Sequence, residues 1–157
     1  MSAADPLSPG PGPGSTAAGA PVSGRTSSGP GRVLVAVYGL LALAATARSA
    51  VQLLRQFDDA PVAYLLSAVA AVVYVLATLG LARGTGRWRT LAWTAVSVEL
   101  AGVLLVGTLS LTDPALFPDE TVWSGFGSGY GYVPLVLPVL GLLWLRRTGR
   151  RDVAAGR

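Results

Sequence analysis

Residues 61–82 read PVAYLLSAVAAVVYVLATLGLA, twenty-two residues without a single charge. At 1.5 Å per residue, a helix of that length covers the ~30 Å hydrocarbon core of a bilayer. Lipid offers no water to backbone N–H and C=O groups, so such a segment satisfies them internally as a helix rather than as an isolated strand. Working outward, residues 90–111 repeat the pattern with Glu99 as their only charge, and residues 33–54 repeat it with Arg48 alone. The fourth apolar run, 132–145, is 14 residues and too short by itself. It reaches spanning length by starting inside the glycine-rich stretch before it, which gives 127–145. The expectation is an all-α membrane protein, a bundle of four transmembrane helices over residues 32–147.

Composition agrees. Hydrophobic residues make up 52% of the 157 and charged residues 13%, with a mean hydropathy of +0.55, against ~25% charged in soluble domains. All 12 cations are Arg, there is no His or Cys, and the only Met is Met1. Ser-His-Asp chemistry, a Cys nucleophile, disulfides and thiolate or imidazole metal ligands are therefore excluded. Only carboxylates, Tyr and Ser/Thr are left for acid–base work. No enzyme activity, metal or cofactor is expected.

Residues 1–31 hold six prolines, seven glycines and six serines and no aromatic residue. Such a segment buries too little apolar surface to offset its ordering entropy, so it is expected to be a disordered tether. Pro6 and Pro9 have PxxP spacing, but no Arg precedes Arg25 to anchor a Pro-rich ligand. Ala47-Arg48-Ser49 has small-x-small spacing. The long, Pro-rich, weakly basic region before it is unlike a secretory leader, so the first span is expected to be retained.

The arginines set an orientation. Arg25 and Arg32, the second loop (Arg83, Arg87, Arg89) and the C-terminal segment (Arg146, Arg147, Arg150, Arg151, Arg157) fall on one face with Asp5 and Asp152, a net +8. The opposite face carries Arg48 and Arg55 with Asp58, Asp59, Asp113, Asp119 and Glu120, a net −3. Cytoplasmic loops collect cations, so both termini, including a basic tail over 148–157, are expected in the cytoplasm of a cell carrying the protein in its plasma membrane. The pI of 10.1 then reflects orientation, with anionic headgroups as natural contacts and no nucleic-acid partner.

Charge inside an apolar span is the best sequence pointer to function. Arg48 lies roughly 15 residues up its helix and Glu99 roughly 9, a difference in depth of about 9 Å. Two readings of Arg48 stand side by side: a pair with Glu99, or snorkelling to the headgroups with Arg55. For Glu99 the structural reading is a buried carboxylate paired with Arg48 or hydrogen-bonded to Tyr38, Tyr74 or Thr94. The functional reading is a carboxylate that binds or carries a proton or cation.

The third loop, 112–132, alternates glycine (125, 127, 129, 131) with aromatic residues. It lacks the Gly-Lys-Ser/Thr ending of a phosphate loop, and no strand precedes it as in a dinucleotide site. Trp123, Phe126, Tyr130 and Tyr132 suit an aromatic belt at the outer interface. The alternative is a loop folded back over the bundle, with Asp119 and Glu120 on an acidic docking surface. Small residues at four-residue spacing (Ala42, Thr46, Ala50; Ala63, Ser67, Ala71; Ser97, Ala101) predict close helix approach. Pro134 and Pro138 predict a kink in the fourth helix.

Residues 122–135, with the closing Gly141-Leu142-Leu143-Trp144-Leu145-Arg146-Arg147, resemble a group of small four-helix integral membrane proteins of actinobacterial type, over residues 32–150. The resemblance implies a fold and transfers no functional residue. Small multidrug transporters also have four helices and a membrane carboxylate. Their Glu lies in the first helix, whereas here that helix carries Arg48. The expected function is a non-enzymatic accessory or scaffolding bundle that contacts lipid, a second copy or a partner membrane protein. The alternative is a small transporter working through Glu99.

Overall fold

In a computed structural model the described residues are 29–155, with side chains described to residue 149. The tether expected over 1–31 lies outside them, except for Gly29, Pro30 and Gly31, which form the first turn of a helix. The described chain is all-helical in its regular structure, with long helices α1 (Gly29–Arg55), α2 (Pro61–Arg83), α3 (Arg87–Thr112) and α4 (Val133–Ala155). A 3-10 turn, Pro114–Leu116, and a run of 3-10 turns, Ser124–Tyr130, lie between α3 and α4.

Each boundary has a local cause. Pro61 opens α2, where its missing N–H is no loss. Gly84 closes α2 in the left-handed conformation (φ 63°), its N–H reaching Gly80 O at 3.0 Å. The α2–α3 turn is tight because Gly80 lets the helices touch: a Cβ there would lie 2.7 Å from the Ala92 backbone nitrogen.

The interior mixes small and polar side chains with larger apolar ones such as Val96, Val103 and Leu145. Its centre holds small and polar side chains, including Ala45, Ala70, Ala77, Ala92, Ser67 and Glu99. Large aliphatic side chains face outward, with Leu43 70% and Leu54 85% exposed. Outward-facing aliphatic side chains suit a lipid solvent, and the small residues at the centre let helix backbones approach closely. Helices α1, α2 and α3 are each long and apolar enough to cross a membrane. The Ser124–Tyr130 run with residues 133–149 adds a fourth candidate if this bent pair is taken as one span.

Two expectations change here. The glycine-rich stretch is not the start of the fourth helix: α4 begins at Val133, and the 3-10 run before it is turned through 99°. The turn comes at Gly131 and Tyr132 (φ 61° and 60°), ahead of Pro134 and Pro138, while Pro138 sits within α4. Of the small-residue rows only Ala63, Ser67 and Ala71 is buried throughout, while Thr46, Ala50, Ser97 and Ala101 face outward.

Candidate functional site

Glu99 is fully buried at the middle of α3. Its Oε2 accepts a hydrogen bond of 2.6 Å from the Tyr38 hydroxyl on α1. The Tyr38 ring lies 6.3 Å from that of Tyr74 on α2, tilted by 52°. The Tyr74 hydroxyl in turn accepts from Trp123 Nε1 at 3.1 Å. Helix α4 closes the cluster at Gly141, where a Cβ would lie 3.4 Å from the Tyr38 oxygen. One buried polar cluster thus joins α1, α2, α3 and the third loop, with α4 packed over it. Glu99 Oε1 has no hydrogen-bond partner among the described residues.

Arg48 does not join it. Its guanidinium turns to the third loop, donating to the Glu120 backbone oxygen at 3.0 Å and to the Tyr130 hydroxyl at 3.4 Å. Of the two readings of Arg48, the pair with Glu99 is not formed. The reason is depth and competition: the folded loop brings acceptors to Arg48 at its own level, while Tyr38 reaches Glu99 without crossing about 9 Å of apolar core. Of the partners considered for Glu99, Tyr38 is the one found.

The loop itself folds into the bundle, and the outer-belt reading changes accordingly. Trp123 is buried against Gly102 of α3, where a Cβ would meet its ring at 2.6 Å. Phe126 covers Gly107, and the Ser110 hydroxyl accepts from the Gly125 N–H at 2.9 Å. Tyr130 is half-buried beside Arg48, and only Tyr132 of the four aromatics faces outward. Thr121 and Ser124 cap the turn, the Ser124 hydroxyl accepting from the Thr121 N–H at 2.9 Å and the Thr121 hydroxyl accepting from the Ser124 N–H at 2.9 Å. Asp119 accepts from Gln52 Nε2 at 3.4 Å and from the Glu120 N–H at 2.8 Å. The Asp119 carboxylate meets α1 at Gln52, whereas Glu120 meets it through its backbone oxygen, and no group of three metal-ligating side chains forms among the described residues.

A second polar region, at the face where the sequence gathers its arginines, lies where α1 and α3 start and α2 and α4 end. Arg32, Arg83, Arg87, Arg89, Arg146 and Arg147 gather there. The Arg83 guanidinium stacks 4.0 Å over Trp88, and that of Arg146 lies 5.9 Å from Trp93. Arg89 ties α3 to α4, donating to the Leu145 backbone oxygen and, at 3.2 Å, to the Thr148 hydroxyl. Trp144 packs on Gly31. Three of the four tryptophans thus sit at the arginine end. A legible signal was present, since Trp and Arg alternate at the helix ends in the manner of interfacial anchors. Compared with protein-family models, curated proteins and solved structures, the chain matches none.

Proposed function

We propose that this chain is a multi-pass plasma-membrane protein with four spans and cytoplasmic termini, and that its bundle is a non-enzymatic accessory or scaffolding component. The observation that carries the reading is the enclosure of Glu99. Its carboxylate is fully buried and takes up the Tyr38 hydroxyl, so the strongest polar group of the interior is spent on holding elements together. A transport path recruits several ionisable groups along a route. Here Arg48, the other charge set within a span, is engaged by the loop instead. The partners this reading allows are the lipid bilayer, a second copy, or another membrane protein held at the outer loop or the arginine end.

The second reading, a small proton- or cation-coupled transporter, draws on one observation: Glu99 Oε1 is buried without a partner among the described residues. Glu99→Gln separates the two. In a scaffold, the variant lowers thermal stability and cross-linked complex yield, and reconstituted liposomes show no pH-dependent flux to lose. Loss of such a flux with folding intact replaces the scaffold reading with the transporter.

A further inference from the structure

At the arginine end, α1, α2, α3 and α4 enclose a cleft of about 1040 Å³. Its floor is apolar, formed by Val35, Ala36 and Leu81. Its rim is cationic and aromatic, with Arg32, Arg83 and Arg89 beside Trp88 and Trp144. We propose that this cleft binds one anionic phospholipid, its phosphate on the Arg32 and Arg83 guanidinium groups and its acyl chains along the apolar floor.

Charge complementarity carries the proposal. The guanidinium groups of Arg32 and Arg83 make no hydrogen bond or ion pair among the described residues. No described carboxylate lies at this end, since Asp58, Asp59, Asp113, Asp119 and Glu120 all belong to the opposite loops and Glu99 to the middle. Arg offers planar, weakly hydrated donors suited to a phosphate. Trp144 lines the same cleft, and its Nε1–H, packed against Gly31 and shielded from solvent, has no acceptor among the described residues. A free phosphate would use the rim alone. The apolar floor directly beneath the cations fits a headgroup still attached to its chains. The inference rests on reading the arginine end as a membrane surface.

The test uses the full-length protein, purified in mild detergent and titrated with phosphatidylglycerol, phosphatidylcholine or inorganic phosphate, with bound lipid read by native mass spectrometry. Wild type should retain one phosphatidylglycerol in preference to phosphatidylcholine, and millimolar inorganic phosphate should not displace it. Arg32→Gln with Arg83→Gln should lower retention roughly 25-fold, at about fivefold per arginine. Arg55→Gln, at the opposite end, should leave it unchanged. Equal retention of both lipids, equal losses in the Arg55 and Arg32/Arg83 variants, or displacement by phosphate would overturn the proposal. Carbonate extraction of membranes keeps the two ideas apart. A chain released by carbonate defeats the membrane reading, whereas an integral chain without anionic preference defeats only the lipid site.

Discussion

Tyr38 and Glu99 are sixty-one positions apart and meet at 2.6 Å inside a fully buried core. Removing the hydroxyl while keeping the ring isolates that bond. Tyr38→Phe should lower unfolding stability by about 0.6–1.7 kcal/mol, the range for interhelical hydrogen bonds in lipid, as measured by thermal unfolding in detergent. Exchanging the span charges, Arg48→Glu with Glu99→Arg, should rescue neither single variant, because Arg48 serves Glu120 and Tyr130 instead. Rescue would restore the direct pair. At Gly102 the issue is space. A methyl group would meet the Trp123 ring at 2.6 Å, and the indole is itself held by Tyr74. Gly102→Ala should therefore cost about 1–3 kcal/mol by overpacking and expose Trp123 to aqueous quenchers. An unshifted fluorescence spectrum in a chain whose other tryptophans are phenylalanine would argue against the buried loop.

At the scale of elements, the third loop and α4 share one task. The apolar part of α4, 133–145, spans only about 20 Å at 1.5 Å per residue. The loop fills part of the outer half of the bundle by laying Trp123 and Phe126 on α3. To do so it takes Gly125, Phe126 and Gly127 through successive left-handed conformations (φ 54°, 60° and 80°). For Phe126 such a conformation costs roughly 1–2 kcal/mol, which the packing on Gly107 offsets. Gly127 is constrained twice, by its φ and by Pro134, which a Cβ would meet at 2.7 Å. Gly127→Ala should release the loop from α4, seen as faster protease cleavage between residues 117 and 131 with α1–α3 intact. The alternation of glycine and aromatic residues in the sequence marked this loop as unusual but left its path open. Glycine spacing permits left-handed turns without stating which neighbour the aromatics will meet.

At the scale of the molecule, the segregation of charge ran ahead of the structure. Among the described residues, the arginines that the sequence assigns to one face meet at one end of the bundle, and the acidic loops meet at the other. Reporter fusions after Asp59 and after Arg87 should report opposite sides, external and cytoplasmic respectively. An external signal at Arg87 would reverse the orientation.

The sequence by itself determined the helices α1, α2 and α3 and which connections share an end. Both follow from local quantities, namely the length of an uncharged run against the thickness of hydrocarbon, and the count of arginines between runs. Only the tertiary structure decided that Glu99 takes Tyr38 rather than Arg48 and that the third loop lies inside the bundle. It also decided that arginines from α1, α2 and α3 line one cleft. Those outcomes depend on competition among partners brought together from distant parts of the chain, which spacing along a single helix does not contain.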